Sequence, residues 1–107
     1  MGIIEKYSDT LQKLCKLHQV DKMYLFGSAV TSQFNEQSDI DLLVKFKPLA
    51  LEVYFENYIN FKSNLESLFG RRVDLLEEQA LRNPILIKTI DNSKELIYGW
   101  SDSQMAL

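Results

Sequence analysis

The sequence predicts one small domain of the α/β or α+β class, with helices packed against a β-sheet. Stretches with helical spacing of apolar residues alternate with short apolar runs typical of strands. The 107 residues suffice for one core, and 46% of them are hydrophobic. No repeat or low-complexity linker interrupts the pattern. We therefore expect a single domain over 1–107, with a flexible tail at 100–107.

The secondary-structure elements follow from the apolar spacing and the turn residues. We expect a helix over 3–18, strands over 22–26 and 40–46, a helix over 51–69, a strand over 71–76, a helix from 84 to about 90, and a short strand or helix extension over 95–98. The uniformly apolar run at 22–26 predicts a strand buried on both faces. Gly70 predicts the end of the long helix, and Asn83-Pro84 predicts the start of the short one.

Charge and cysteine content narrow the function classes. With 15 acidic and 12 basic side chains, the chain lacks the basic surface that nonspecific nucleic-acid binding needs. The single Cys15 cannot form an internal disulfide. The first residues do not have the pattern of a signal peptide, and no apolar run approaches the roughly 20 residues of a membrane span. We expect a soluble cytoplasmic protein without a membrane partner.

Two carboxylates alternate with apolar residues along the strand at 40–46. The alternation places Ile40, Leu42, Val44 and Phe46 on one face and Asp39, Asp41, Leu43 and Lys45 on the other. Asp39 and Asp41 then lie less than about 7 Å apart and repel each other unless a cation shields them. Mg²⁺ prefers such oxygen ligands, and Asp74 on a neighbouring strand would complete the cluster. The alternative is an exposed strand end without function.

Gly27-Ser28 directly follows the apolar run at 22–26, ten residues before Asp39. Glycine lets a backbone approach a phosphate closely, and the serine hydroxyl can donate a hydrogen bond to a phosphate oxygen. A helix beginning after Ser28 would add free N–H groups to this anion site. The alternative is an ordinary turn at a strand end. The pair predicts a phosphate site only because the aspartates follow it.

The pattern G-S-x10-D-x-D, followed by Arg72-Val73-Asp74-Leu75-Leu76, resembles the minimal nucleotidyltransferase (MNT) family of the DNA polymerase beta superfamily. The resemblance also covers Ser38 to Val44 and Ile97-Tyr98-Gly99. It implies a small mixed sheet flanked by helices, with Mg²⁺ as cofactor and ATP as substrate. It further implies that Asp39, Asp41 and Asp74 are catalytic metal ligands and that Gly27 and Ser28 bind phosphate.

The chain departs from the family pattern after the Gly-Ser pair. Where members usually continue R-A-R-G, this chain has Ala29-Val30-Thr31-Ser32, so two arginines and a second glycine are missing. The carboxylates of the pattern are all present. The missing residues are therefore expected to affect the affinity for triphosphate and the turnover rather than the metal chemistry.

Family membership implies an antitoxin that pairs with a HEPN-domain RNase toxin in a hetero-oligomer. Such proteins transfer AMP from ATP to a tyrosine of the toxin, and a partner that presents the acceptor agrees with the short chain. The missing arginines motivate a second hypothesis, an antitoxin that neutralises its partner by binding alone. A third hypothesis is a free-standing transferase acting on a small molecule or an RNA end.

Four other features have simpler interpretations. His18 is expected to be solvated at a helix end rather than a ligand, and Cys15 is expected to pack in the core. Arg71 and Arg72 either steer ATP, pair with nearby acidic residues or are merely solvated. The broad apolar face of the 51–69 helix, with Tyr54, Tyr58 and Phe61, fits either a thick core or a protein interface.

Overall fold

The computed structural model describes residues 2–31, 34, 35 and 37–99 as a mixed sheet with helices on both faces. The elements are α1 (Ile3–Lys6), α2 (Ser8–Leu17), β1 (Val20–Phe26), β2 (Ile40–Phe46), α3 (Leu51–Phe69), β3 (Val73–Glu77), α4 (Pro84–Ser93) and β4 (Glu95–Tyr98). Single 3₁₀ turns occupy Gly27–Val30 and Glu78–Ala80. The tail at 100–107, predicted to be flexible, lies outside the described residues, as does Ser32.

The four strands are arranged in the order β3-β2-β1-β4. β2 pairs with β1 in antiparallel fashion and with β3 in parallel, while β4 adds to the other edge of β1 in antiparallel fashion. The parallel pair requires a crossover, which α3 supplies. This mixed sheet confirms the predicted fold class. Residues 95–98, expected to form either a short strand or a helix extension, form the strand β4.

The hydrophobic core lies on one face of the sheet, beneath α2 and α3. The predicted alternation in β2 is confirmed, because Ile40, Leu42 and Val44 are buried against this core. Phe61 and Leu65 supply the buried side chains from α3. The opposite face of β2 therefore carries the residues between them, including Asp41.

The predicted first helix is in fact two helices. Tyr7 leaves helical geometry, with φ −111° and ψ 18°, and separates α1 from α2. Its ring packs edge-on against Phe69, with 5.8 Å between the ring centroids. The helical spacing of Leu11, Leu14 and Leu17 predicts one apolar face, but Leu17 is 68% exposed because α2 ends there and the chain turns into β1.

The expectation that β1 is buried on both faces is wrong. Met23 and Leu25 are buried in the core, whereas Tyr24 and Phe26 on the other face are only half-buried. That second face is covered in part by α4, which is longer than predicted and ends at Ser93. The strand expected over 71–76 is likewise shifted and occupies Val73–Glu77.

The predicted helix ends on either side of β3 are confirmed. Gly70 adopts a left-handed conformation (φ +67°) at the C-cap of α3, and its N–H donates to the Glu66 carbonyl. Asn83 caps α4, with its side-chain oxygen accepting from the N–H groups of Ile85 (2.9 Å) and Leu86 (3.3 Å). These caps satisfy donors and acceptors that helix ends leave open.

His18 is not the solvated helix end predicted from sequence. The residue is only 7% exposed, and its ring packs against Phe61. Asn57 Nδ2 donates to the His18 carbonyl (2.8 Å), which turns its Oδ1 toward His18 Nδ1 at 3.0 Å. Nε2 lies 3.1 Å from Asn64 Nδ2. The imidazole therefore donates through Nδ1 and accepts at Nε2, joining the end of α2 to α3.

Replacing this imidazole should measurably destabilise the fold. We expect His18→Ala to lower the free energy of unfolding by about 2–4 kcal/mol, because two hydrogen bonds and a buried ring contact are lost. Urea denaturation measures the change. Leu17→Ala, at the exposed neighbouring position, should alter stability by no more than about 0.5 kcal/mol. Equal effects of the two substitutions would contradict the assigned role of His18.

The three aromatic residues of α3 that were considered for an interface make contacts within the domain instead. Phe61 is fully buried, the Tyr54 ring packs edge-on against Phe46, and the Tyr58 hydroxyl donates to the Leu75 carbonyl on the edge strand β3. A different set of apolar side chains on α3 is exposed. Leu51, Phe55 and Ile59 follow one another at four-residue intervals, and Phe55 is 65% exposed.

Two further predictions concern Cys15 and the membrane. Cys15 packs in the core as expected, and burial raises the pKa of its thiol to about 12, so it remains protonated and unreactive at neutral pH. Among the helices of the described residues, none is long and apolar enough to cross a lipid bilayer.

Candidate active site

The sheet topology brings the predicted carboxylates to one end of two neighbouring strands. Asp41 on β2 is the register partner of Asp74 on β3. Adjacent strands are separated by about 4.8 Å, and paired residues of parallel strands project from the same face. Asp39 directly precedes β2 rather than lying within it. All three residues thus lie at one edge of the domain, with Asp41 and Asp74 on the face away from the core.

The three carboxylates interact electrostatically. Burial raises the pKa of Asp41 above its ordinary value, and the negative charges of Asp74 and Asp39 raise it further. Asp39 and Asp74 are exposed, whereas Asp41 is half-buried between the strands. The arrangement therefore concentrates negative charge around one partly desolvated carboxylate, which disfavours the ionised form unless a cation is bound.

The donor set fits a hard divalent cation. Carboxylate oxygens are the protein ligands that Mg²⁺ favours, and binding a cation would relieve the repulsion around Asp41. Within residues 2–31, 34, 35 and 37–99, no three His, Cys, Asp or Glu side chains lie where they could hold a metal ion together. Asp39, Asp41 and Asp74 therefore do not form a three-residue metal site as they lie, and a metal held here would also need oxygen ligands from a substrate.

Gly27 is required by the geometry of the turn that faces Asp41. Its φ of +72° lies in the left-handed region that side chains disfavour. A Cβ at this position would overlap Asp41 Oδ2 and lie 3.0 Å from Asp41 Cγ. The absence of a side chain therefore lets the turn at the end of β1 contact the central carboxylate directly.

The rest of the turn holds Ala29 and Thr31, the two positions at which the family pattern has arginine. Ser28 is half-buried in the single 3₁₀ turn, and its carbonyl accepts hydrogen bonds from the Thr31 N–H (3.0 Å) and Oγ1 (2.8 Å). Ala29 and Val30 pack against the hydrophobic core. Instead of the helix expected after Ser28, the chain forms only this turn. Its two apolar side chains pack against the core and carry no charge.

Two residues position the site in roles that the sequence did not predict. Arg71 Nη1 donates to the carbonyls of Asn35 (2.9 Å) and Ser38 (3.0 Å), and its guanidinium lies 4.8 Å from the Phe34 ring centroid. Arg71 thus holds the segment that leads into Asp39, rather than being merely solvated. Glu66 Oε2 accepts from the N–H of Val73 (3.0 Å) at the start of β3. Both contacts depend on tertiary structure that local patterns do not encode.

Comparison with known proteins shows the class of protein to which this chain belongs. The family model described as Nucleotidyltransferase domain matches residues 8–97 of the chain. The protein therefore belongs to the nucleotidyltransferase family and is a transferase of that type.

More particularly, the chain is a minimal nucleotidyltransferase. A provisionally named protein adenylyltransferase of Methanocaldococcus jannaschii is 30% identical over 102 residues, covering 92% of this chain and 99% of the relative. The protein adenylyltransferase MntA of Thermococcus cleftensis is 35% identical over 79 residues, covering 74% of each protein.

Two solved structures share the fold. A provisionally assigned minimal nucleotidyltransferase superposes with a TM-score of 0.72 at 28% identity, covering 89% of this chain and 95% of the other. The second is the complex of a tri-AMPylated HEPN toxin with its MNT antitoxin from Shewanella oneidensis. It matches with a TM-score of 0.63 at 19% identity, covering 95% of this chain and 77% of that chain.

Proposed function

We propose that the protein is a Mg²⁺-dependent protein adenylyltransferase acting as an antitoxin. In this proposal it transfers AMP from ATP to a tyrosine of a HEPN-domain RNase toxin, with which it forms a hetero-oligomer. The observation that carries the proposal is the meeting of Asp41, Asp74 and the Gly27 turn at one edge of the sheet. The similarity to a protein adenylyltransferase named MntA supports the assignment of a protein acceptor.

Each site residue has a separate role in the proposed reaction. Asp39 and Asp41 would hold Mg²⁺ together with phosphate oxygens of ATP, and the Gly27 backbone and Ser28 hydroxyl would bind the phosphates on the other side. Asp74, which is exposed on the neighbouring strand, would face the acceptor. When bound, the metal supplies positive charge that activates the attacking hydroxyl and stabilises the departing pyrophosphate.

The proposed transfer is a single displacement at the α-phosphorus of ATP. The tyrosine oxygen forms a bond to the α-phosphorus, while the bond from that phosphorus to the bridging oxygen of pyrophosphate breaks. Asp74 accepts the phenolic proton, and pyrophosphate leaves with the bonding electron pair. Asp41 would act through the cation that it holds, which would position the nucleotide for in-line attack.

An exposed apolar surface on α3 supports a protein partner. Leu51, Phe55 and Ile59 form a continuous strip on one side of the helix. Contiguous exposed apolar surface of this kind commonly marks a protein interface. The proposed toxin would cover this strip.

The alternative function is neutralisation by binding alone. Ala29 and Thr31 occupy positions where family members usually carry arginines. Ala29 packs against the core and the Thr31 hydroxyl donates to the Ser28 carbonyl, so neither offers charge to a triphosphate. If ATP binds too weakly for turnover, occlusion of the toxin would be the remaining mechanism. Transfer of AMP requires the carboxylates, whereas neutralisation by binding alone does not.

A growth assay distinguishes the two functions. The partner recovered with this protein from its native host would be expressed together with wild type or with an Asp39→Asn/Asp41→Asn double variant. We expect wild type to restore growth, and the double variant to fail although it still co-purifies with the partner. Asp9→Asn, an exposed carboxylate on α2, is the matched control and should neutralise like wild type. Full neutralisation by the double variant would support binding alone.

A further inference from the structure

We infer that Tyr58 and Glu66 of α3 are positioning residues for Asp74, because they hold the backbone of β3 on either side of it. This inference rests on the proposed function, in which Asp74 accepts the phenolic proton of the acceptor tyrosine. Asp74 is exposed, so packing against neighbouring side chains does not fix its carboxylate. Its placement therefore depends on how firmly the backbone of β3 is held.

β3 lies at the edge of the sheet, with β2 as its one neighbouring strand in the part of the chain that the structure describes. An edge strand leaves the backbone groups along its outer side without a strand partner. Successive residues of a strand point their backbone groups to alternate sides, and the Arg72 carbonyl accepts from the Ile40 N–H of β2 (3.0 Å). Asp74 therefore also turns its backbone toward β2, whereas Val73 and Leu75 turn theirs to the outer side.

Two side chains of α3 bind these outward groups. Glu66 Oε2 accepts from the Val73 N–H at 3.0 Å, and the Tyr58 hydroxyl donates to the Leu75 carbonyl. The two contacts flank Asp74, one residue before it and one residue after it. Because consecutive Cα atoms are about 3.8 Å apart, both contacts are close enough to set the direction in which the Asp74 side chain leaves the strand.

The helix that carries both side chains is itself fixed to the core. Phe61 and Leu65 lie between Tyr58 and Glu66 on α3 and are fully buried. The contacts from α3 therefore restrain β3 on its outer side, while pairing with β2 restrains it on the other. A group that accepts a proton has to lie within hydrogen-bond reach of the attacking hydroxyl, and a displacement of about 1 Å can reduce the rate on the order of 10²-fold.

The kinetics of AMP transfer to the partner protein test this inference. We expect Tyr58→Phe and Glu66→Ala each to lower kcat about tenfold, because Asp74 is then less well placed. The KM for ATP should stay within about twofold of the wild-type value, since Asp39, Asp41 and the Gly27 turn bind the nucleotide in the proposed reaction. Wild-type kcat in both variants, or an effect on the KM for ATP alone, would overturn the inference.

Two further variants separate positioning from a general loss of stability. Tyr54→Phe removes the same hydroxyl one turn earlier on α3 and keeps the ring that packs against Phe46, so its kcat should equal that of wild type. Glu66→Gln keeps an oxygen that can accept from the Val73 N–H and should retain most of the wild-type kcat. A Glu66→Gln variant as slow as Glu66→Ala, or a Tyr54→Phe variant as slow as Tyr58→Phe, would overturn the inference.

Amide hydrogen exchange measures the restraint on β3 directly and needs neither partner nor nucleotide. The Val73 N–H of wild type should exchange at least about tenfold more slowly than in an unstructured peptide, and Glu66→Ala should remove much of this protection. Exchange of the wild-type Val73 N–H at the rate of an unstructured peptide would overturn the inference even if no variant folds. Wild type that protects this N–H but transfers no AMP would instead contradict the proposed function, and with it the role given to Asp74.

Discussion

A Gly27→Ala variant should lose transfer activity by about 100-fold or more, because the new methyl group occupies the space of the Asp41 carboxylate. The positive φ of +72° adds a backbone penalty of about 1–2 kcal/mol, so the free energy of unfolding should fall as well. Transfer of label from ATP into the partner protein is measured at a temperature where circular dichroism shows the variant to be folded. Full activity in this variant would contradict the assigned contact between turn and carboxylate.

The matched control for this variant is Gly70→Ala. Gly70 has a similar left-handed conformation, with φ +67°, but a Cβ there would meet no atom within 4 Å. The substitution should therefore bring the backbone penalty without disturbing the site, and transfer should stay near the wild-type rate. Comparing the two variants separates the effect on the carboxylate from the effect on stability.

Asp41→Asn should reduce transfer on the order of 10³-fold, since the central ligand of the proposed metal loses its charge. Removing Mg²⁺ with EDTA should abolish the wild-type reaction in the same way. Asp9→Asn, at an exposed position on α2, should transfer like wild type with Mg²⁺ and be abolished by EDTA in the same way. Undiminished transfer by Asp41→Asn would contradict the proposed mechanism.

The same variant should be at least as stable as wild type in Mg²⁺-free buffer at neutral pH. Burial and the charges of Asp74 and Asp39 raise the pKa of Asp41 in the folded state, so its ionised form disfavours folding. This destabilisation is absent below the ordinary carboxylate pKa and develops as the pH rises through the raised value. Thermal unfolding at neutral pH checks the sign, and a clear loss of stability in Asp41→Asn would show that its carboxylate is not under repulsion.

Local sequence patterns predicted the parts of the fold that depend on neighbouring residues. The alternation along β2, the left-handed Gly70 and the Asn83 cap each follow from residues within a few positions. The same patterns identified Asp41 and Asp74 as candidates. Their pairing in register, however, depends on how α3 returns the chain to the sheet.

Features that depend on distant residues were not predicted. His18 was expected at a solvated helix end, but it bonds to Asn57 and Asn64, which lie 39 and 46 positions away. Arg71 gains its role from the carbonyl of Asn35 across the loop.

Transfer of α-labelled ATP into the partner protein tests the central proposal most directly. Wild type or the Asp39→Asn/Asp41→Asn variant would be incubated with Mg²⁺, labelled ATP and a lysate of the native host. We predict a single labelled protein with wild type, modified on tyrosine and absent with the variant. A lysate that remains unlabelled, although wild type binds a partner in it, would contradict the proposed transfer and leave neutralisation by binding.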